Sequence, residues 1–166
     1  MKDMLNWYAI YVRSRHEFVA DSELRRKGIK TYLPSVKRLS QWRDRKKLIE
    51  FPLFPGYLFV QMGNSDYLAV LRAKGVVSLI CSRAGIPIPV PDEEIDSLKL
   101  LIESGTEIDL YPQFDEGTRV LIRRGALRGA SGVVVSREGQ FIFAVNIHIL
   151  GRSVGVKIYA DDLEAA

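Results

Sequence analysis

An aromatic and apolar segment at residues 50–60 carries the side chains best suited to molecular recognition in this chain. It reads Glu-Phe-Pro-Leu-Phe-Pro-Gly-Tyr-Leu-Phe-Val, so two prolines and a glycine precede an apolar strand. Strand alternation over 57–62 separates one face with Leu58, Val60 and Met62 from another with Tyr57, Phe59 and Gln61. A small domain needs one apolar face for its core. The second, aromatic face is therefore a candidate docking surface.

Positive charge is concentrated in the first third of the chain. Residues 13–47 contain 12 Lys or Arg against four Asp or Glu, whereas residues 91–116 contain nine acidic residues and one lysine. A basic region of this kind is typical of proteins that face a polyanion such as nucleic acid. Two solvated faces of opposite sign would give the same composition, so charge alone leaves both interpretations open.

The sequence lacks the residue patterns of common catalytic and metal sites. Cys81, His16 and His148 have no metal-ligand spacing, and there is no Gly-x-Ser-x-Gly elbow or phosphate-binding loop. We therefore expect no enzyme activity, cofactor or metal, and a structural role for His148. A single cysteine excludes an internal disulfide and favours the cytoplasm. No apolar run approaches the roughly 20 residues of a membrane span, so we expect no membrane association.

The periodicity of residues 1–105 predicts an α/β sandwich with helices on one sheet face. Ser14 and Glu17 have capping-box spacing, which predicts a helix that ends at Gly28. A second helix is predicted near 66–73, and a third begins after Pro91 and ends at Gly105. The predicted strands are 7–12, 29–33, 57–62 and 76–80, with a hairpin of 36–42 and 48–51 around a charged turn at 43–47.

Strand parity in this sandwich groups Tyr11, Tyr57 and Phe59 on the open sheet face, with Phe54 in the adjacent loop. Exposed aromatic side chains of this kind are candidate contact residues for another protein. The alternative is that the 36–51 hairpin or the second domain covers them.

Residues 106–115 are polar and acidic and predict a linker, and 116–166 predict a small β-barrel. Its strands are expected at 118–122, 132–136, 141–147 and 154–159. Gly125, Gly129 and Gly132 are expected to supply turn geometries with positive φ. The pattern Gly-x-x-Val-x-Ile-x-x-Gly-x-Leu-x-Gly-x-x-Gly-x-Val from 117 to 134 resembles a KOW motif.

Together, the two halves resemble the NusG family of transcription elongation factors over nearly the whole chain. The N-terminal half carries Trp-Tyr-Ala-Ile-Tyr-Val at 7–12, His16-Glu17, Leu33-Pro34, Pro-Leu-Phe-Pro-Gly-Tyr-Leu-Phe-Val at 52–60, and Gly75-Val-Val77. The segments 41–47 and 150–154 are more similar to the specialised UpxY-, RfaH- and LoaP-like antiterminators. The resemblance implies an α+β fold: a ferredoxin-like NGN sandwich at 1–105, a linker at 106–115 and an SH3-like KOW barrel at 116–166.

The resemblance implies a cytoplasmic, monomeric factor that acts without making or breaking a covalent bond. Its N-terminal domain would bind the β′ clamp helices of bacterial RNA polymerase, suppress pausing and promote processive transcription of specific long operons. By motif position, Tyr11, Phe54 and Phe59 would make this contact, and Tyr57 would either contribute or pack beneath them.

The resemblance also implies two further sets of contacts. The non-template DNA strand would meet a basic face formed by Arg13, His16, Arg26, Lys27 and Lys74. The barrel would bind the ribosomal small-subunit protein NusE, or the termination factor Rho, through Leu127, Ile149, Leu150 and Arg152. The β-branched residues at 133–135 and 154–158 favour a barrel that does not switch to a helical hairpin.

Three other functions compete with this interpretation. The first is a housekeeping NusG that acts in elongation and Rho-dependent termination. The second is an RNA-binding module whose open-sheet rings, Tyr11 and Phe59, stack on bases. The third is a ribosome-associated KOW protein.

Overall fold

The computed structural model of the chain describes residues 4–158. The chain forms two compact units that divide between Pro89 and Val90. This division differs from the predicted boundary at residue 105, because the helix at 92–103 belongs to the second unit. Of the predicted strand 154–159, Tyr159 lies outside the described residues.

The first unit is an antiparallel sheet with two helices. Its elements in chain order are β1 (Asn6–Val12), α1 (Glu17–Arg26), β2 (Lys30–Tyr32), β3 (Ser35–Trp42), β4 (Arg45–Pro52), β5 (Tyr57–Met62), α2 (Tyr67–Leu71) and β6 (Val76–Leu79); the two-residue β7 (Pro89–Val90) contains the division between the units. The sheet order is β2-β5-β1-β6, whereas β3 and β4 form a separate two-stranded ribbon. The predicted mixed sheet-and-helix fold of the N-terminal unit is confirmed.

Strand register decides which side chains form the core of the first unit. The central strands β1 and β5 pair so that Ile10 lies opposite Leu58 and Tyr11 lies opposite Tyr57. Ile10 and Leu58 pack in one buried cluster with Leu24 of α1 and Val70 of α2. Alternation therefore directs one face of the sheet to the helices and leaves the side chains of Tyr11 and Tyr57 on the other.

The ribbon of β3 and β4 is longer than the sequence predicted. Its two strands pair from Ser35 opposite Pro52 to Trp42 opposite Arg45, so the turn consists of Arg43 and Asp44. Arg43 adopts a left-handed conformation with φ of 51°. The charged segment 43–47 is therefore mostly strand, because three consecutive cations at 45–47 suit a ribbon that is exposed on both faces.

The second unit combines one helix with a five-stranded antiparallel sheet. Its elements are α3 (Asp92–Glu103), β8 (Asp109–Pro112), β9 (Thr118–Leu121), β10 (Ser131–Arg137), β11 (Gln140–Ile147) and β12 (Arg152–Ile158), in the sheet order β8-β12-β11-β10-β9. Three acids in the first turn of α3 stabilise its start through the helix dipole. The predicted linker contains β8, in which Leu110 pairs with Val154, so part of that segment is a strand of the sheet.

Of the three glycines predicted to supply turn geometries, the two in the β9–β10 connection do so, whereas Gly132 lies within β10. Gly125 and Gly129 have φ of 87° and 92°, as expected for turns that disfavour a side chain. Gly132 does not belong to the positive-φ residues; a Cβ built there would lie 2.2 Å from the Ala144 carbonyl oxygen. Gly132 is therefore required by the close approach of two strands rather than by a turn.

Candidate functional site

Tyr11 and Tyr57 form an aromatic pair at the end of the two central strands. They are direct cross-strand partners, and their ring centroids lie 5.4 Å apart at an interplanar angle of 57°. Tyr11 is 42% exposed, and Tyr57 is half-buried beside it. An exposed ring that is fixed by a neighbouring ring loses little conformational freedom on binding, which suits it to a protein contact.

Phe54 and Phe59 are buried, which corrects the expectation that they are exposed on an open face. Phe59 lies on the face predicted by parity but has no accessible surface, and Phe54 is 4% exposed. The edge of one ring meets the face of the other, with centroids 6.4 Å apart and an angle of 89°. On its other side, Phe59 stacks on Tyr32 at 6.5 Å.

The loop at 53–56 explains this burial. Its backbone is fixed at both ends, by the Leu53 N–H donating to the Pro34 carbonyl at 2.7 Å and the Tyr57 N–H donating to the Phe54 carbonyl at 3.0 Å. The second bond turns the chain back toward β5 and places the Phe54 ring against Phe59. Two of the four predicted aromatic contact residues are therefore packed against each other inside the domain.

Glu17 has a role in this loop that the sequence did not reveal. Its buried carboxylate accepts the backbone N–H of Gly56 at 3.3 Å, across 39 residues of chain. The predicted capping box with Ser14 is absent, since α1 is preceded by His16 and has no side-chain cap. The pattern Ser-x-x-Glu is common at helix starts, and nothing in the sequence marked this carboxylate for a distant loop.

Gly56 in turn lies directly against Tyr11. It has a φ of 87°, and a Cβ built there would be 3.2 Å from Tyr11 Cε2. The Val12 N–H donates to the Gly56 carbonyl at 2.8 Å, so the loop is also bonded to β1. Glu17, Gly56 and Tyr11 thus form a continuous set of contacts from helix α1 to the exposed aromatic pair.

The predicted basic residues lie in two groups. The first surrounds Gly75, whose carbonyl accepts the Arg13 N–H at 2.8 Å and whose Cβ position would be 3.0 Å from His16 Cβ; Lys74 precedes it in the chain. His16 Nδ1 donates to the Ser14 carbonyl at 2.9 Å, since that oxygen can only accept. His16 is half-buried, while Arg13 and Lys74 are exposed.

The second basic group is at the end of α1, and both of its side chains have partners within the protein. Arg26 pairs with Glu23 at 2.7 Å, and Lys27 Nζ donates to the Ala69 carbonyl at 3.1 Å. Both side chains remain exposed. A phosphate would have to share Arg26 with Glu23. Of the two predicted arginines, Arg13 is therefore the one whose charge is more available to a phosphate.

The predicted partner-binding residues of the second unit share one end of its sheet. Ile149 and Leu150 lie in a short 3-10 turn between β11 and β12, and Arg152 begins β12. Leu127 lies between β9 and β10, where its carbonyl accepts the Ala130 N–H at 2.9 Å. In antiparallel order, the β9–β10 and β11–β12 connections fall at the same end. Arg152 is exposed and the other three are half-buried.

Polar contacts fasten the start of α3 to this sheet. Glu94 accepts the backbone N–H of His148 at 3.1 Å and pairs with its ring Nδ1 at 2.9 Å. Ser97 Oγ accepts the Ser131 N–H at 3.0 Å, and Arg119 pairs with Glu93 at 3.1 Å. These contacts explain why α3 belongs to the second unit. They also give His148 the structural role that was expected.

A cleft of about 480 Å³ lies beside these contacts in the second unit, with Glu93, Asp115, Glu116 and Arg119 in its lining. In the same unit, burial and the nearby Asp109 raise the pKa of Tyr111 above its ordinary value.

Within residues 4–158, no group of three or more His, Cys, Asp or Glu side chains is placed to hold a metal ion. No helix in that range is long and apolar enough to cross a membrane.

Comparison with known proteins assigns the chain to a family. Residues 5–99, more than half of the chain, match the family model described as "Transcription termination factor nusG". The transcription termination/antitermination protein NusG of Borreliella burgdorferi is 26% identical over 95% of this chain and 97% of its own length. The NusG protein of Pseudomonas aeruginosa is 27% identical, again over 95% of this chain and 97% of its own.

A solved structure supports the fold. The structure described as "Domain interaction in Thermotoga maritima NusG" has a TM-score of 0.51, covers 96% of both chains and is 24% identical to this one. At that identity the likeness concerns the fold alone. The family match and the full-length similarity lead to one conclusion: this chain belongs to the NusG family of transcription termination and antitermination factors.

Proposed function

We propose that the chain is a specialised antitermination factor that binds the β′ clamp helices of RNA polymerase and suppresses pausing during transcription of specific long operons. The observation that carries this proposal is the Tyr11–Tyr57 pair, with Tyr11 42% exposed at the end of β1. Phe54 and Phe59 act in this scheme as buried supports of the binding surface rather than as contact residues.

Polymerase capture tests this proposal. Tyr11→Ala is expected to lower the affinity of the full chain for core polymerase by about 2 kcal/mol or more, the loss typical of a central aromatic contact. Leu68→Ala is the matched control, because Leu68 is 59% exposed on α2 and lies outside the aromatic pair. Equal affinity of the Tyr11→Ala variant and the wild type would contradict the proposal.

The basic groups would contact the non-template DNA strand while the polymerase is bound. Arg13 and Lys74 present exposed charge around Gly75, and Arg26 and Lys27 extend this charge to the end of α1. Contacts from such side chains to phosphates position a protein on nucleic acid without selecting a sequence. The half-buried His16 would assist by holding the turn before α1 through its bond to Ser14.

The second unit would recruit NusE or Rho through the connections that carry Leu127, Ile149, Leu150 and Arg152. Their location at one end of the sheet supports a single contact surface with apolar side chains beside a cation. The assignment is tested by titrating the full chain, and then its Arg152→Gln variant, with each purified partner and comparing the binding affinities. Unchanged binding of both partners by this variant would remove Arg152 from the proposed surface.

A housekeeping role in elongation and Rho-dependent termination is the second candidate. Its support is the similarity to proteins named for both termination and antitermination across almost their entire length. Transcription on a template with a Rho-dependent terminator separates the two. A specialised antiterminator increases read-through, whereas a housekeeping factor increases Rho-dependent release. The RNA-binding alternative is less well supported, because Phe59 has no accessible surface on which a base could stack.

A further inference from the structure

The β3–β4 ribbon carries an exposed aromatic ring and a set of cations that take no part in the polymerase and DNA contacts proposed above. Residues 35–52 carry six Lys or Arg against Asp44 and Glu50. Trp42 is 57% exposed beside the turn. The two strands of eight residues pair without interruption, so the ribbon is about 26 Å long at roughly 3.3 Å per residue.

Register places the ring and three cations on the same face. Directly opposed residues of an antiparallel pair share a face, and alternate residues along a strand do the same. Trp42 opposes Arg45, and two positions away Ser40 opposes Lys47; Arg38, opposite Ile49, follows on that face. Trp42, Arg38, Arg45 and Lys47 are exposed. These four residues are called the Trp42 face below.

The opposite face of the ribbon has different chemistry. Leu39 and Leu48 oppose each other there and are 67% and 58% exposed. Lys37 and Lys46 supply two cations, and Lys37 lies opposite Glu50. This face has no aromatic ring and less net positive charge, so it serves as an internal control for the Trp42 face.

We propose that the Trp42 face binds single-stranded DNA, with a base stacked on Trp42 and phosphates contacted by Arg38, Arg45 and Lys47. An exposed aromatic ring among cations is the combination by which proteins bind single strands, because every unpaired base offers a ring face and every linkage an anionic phosphate. In a duplex the bases are stacked on one another, so Trp42 would have no free base face to contact.

The chemistry of this face does not select RNA. Discrimination in favour of RNA depends on contacts to the 2′-hydroxyl. Apart from the indole N–H of Trp42, the half-buried Ser40 is the one neutral hydrogen-bonding side chain on this face of residues 35–52. The choice of DNA over RNA as occupant rests on the proposed function, which brings the protein to an open transcription bubble. The binding itself needs no polymerase, so the two proposals can fail separately.

Tryptophan fluorescence of the full chain tests the proposal directly. The chain has two tryptophans, and Trp7 is 3% exposed, so a stacked base would quench mainly Trp42. A 12-nucleotide single-stranded DNA is expected to quench the emission and to bind more tightly than a duplex of the same sequence. Trp42→Ala should reduce the affinity measured by anisotropy by about fivefold to a hundredfold.

The cations have their own readout. The triple change Arg38→Gln, Arg45→Gln and Lys47→Gln should lower the slope of log K against log salt by about 2, since each single-strand phosphate contact contributes about 0.7. Leu39→Ala should leave both affinity and quenching unchanged.

Four outcomes would overturn the proposal. They are an absence of binding, tighter binding of the duplex without quenching, an equal loss of affinity in Leu39→Ala and Trp42→Ala, and more than tenfold preference for RNA of the same sequence. Circular dichroism of each variant confirms that the loss does not arise from unfolding. If the single-strand binding test fails while polymerase capture is intact, only this inference is overturned and the proposed function stands.

Discussion

The carboxylate of Glu17 accepts the backbone N–H of Gly56 at 3.3 Å, which joins the first turn of α1 to the loop that contacts Tyr11. Glu17 is 6% exposed, and Gly56 is buried as well. A buried N–H without a partner is costly. The bond therefore fixes the position of the loop, and through it the orientation of the exposed aromatic pair.

Glu17→Ala is expected to lower the free energy of unfolding by about 1–3 kcal/mol, because it leaves the Gly56 N–H unpaired in a buried place. Glu17→Gln should lose less than half as much, since the amide oxygen can accept the same bond. Chemical denaturation of both variants measures the difference. Equal losses would show that the loop is stabilised by the negative charge of Glu17 and not by the hydrogen bond that its side-chain oxygen accepts.

Gly56→Ala should damage both stability and polymerase capture. The left-handed φ of 87° costs a non-glycine residue about 1–2 kcal/mol, and the new methyl group would also press on Tyr11 from 3.2 Å. Gly85→Ala is a close control, because Gly85 has a φ of 77° with nothing within 4 Å of its Cβ position. We expect similar strain in both variants but a loss of polymerase affinity in Gly56→Ala alone. If Gly85→Ala weakens capture equally, the effect is one of general stability.

Phe54 and Tyr11 are expected to separate folding from binding. Phe54→Ala should lower the free energy of unfolding by about 3–5 kcal/mol, because it removes a buried ring that packs on Phe59. Tyr11→Ala removes a ring that is 42% exposed and should cost less than about 1.5 kcal/mol. Thermal or chemical unfolding of both variants provides the comparison. A stable Phe54→Ala variant would mean that the loop at 53–56 is not held by this ring.

The sequence was sufficient to predict which face of the sheet carries the aromatic residues, but not how deeply they are buried. The two-residue period of β5 separates Phe59 from Leu58 whatever surrounds them. Exposure depends on a loop whose path is set by distant partners. The bond from Leu53 to Pro34 and the bond from Gly56 to Glu17 cross 19 and 39 residues of chain. Local patterns contain no signal for either.

The same distinction between local and distant contacts explains the other differences. The start of α3 at Asp92 follows from Pro91 and three acids, and it was predicted correctly. The unit to which α3 belongs depends on the bonds of Glu94 to His148 and of Ser97 to Ser131, which join residues far apart in sequence. Strand β8 was missed because it is only four residues long within an acidic segment and ends at a proline, and because its pairing with β12 is non-local.

Arg13→Gln is expected to weaken binding to a paused transcription complex more than Arg26→Gln does. The Arg26 guanidinium already pairs with Glu23 at 2.7 Å, so a phosphate gains less from it. Both variants should bind core polymerase without nucleic acid normally. The affinity for the complex should fall more steeply with salt in the wild type than in Arg13→Gln. The slopes of log K against log salt should differ by about 0.7, the value for one phosphate contact to a single strand. Parallel salt dependences would remove Arg13 from the DNA contact.

The β10–β11 hairpin offers a test of why Gly132 is a glycine. A methyl group there would lie 2.2 Å from the Ala144 carbonyl oxygen and 3.1 Å from the Phe143 ring, so the backbones of β10 and β11 would have to separate. We expect Gly132→Ala to lower the free energy of unfolding by about 3 kcal/mol or more, at the upper end for overpacking.

Gly139→Ala is the control for this change in the turn of the same hairpin. Gly139 has a φ of 78° and nothing within 4 Å of its Cβ position, so only backbone strain of about 1–2 kcal/mol is expected. Denaturation of the full chain, followed by a probe in the second unit such as the Tyr111 ring, compares the two variants. A smaller loss in Gly132→Ala than in Gly139→Ala would mean that β10 can shift away from β11 at little cost, and that strand proximity is not what requires this glycine.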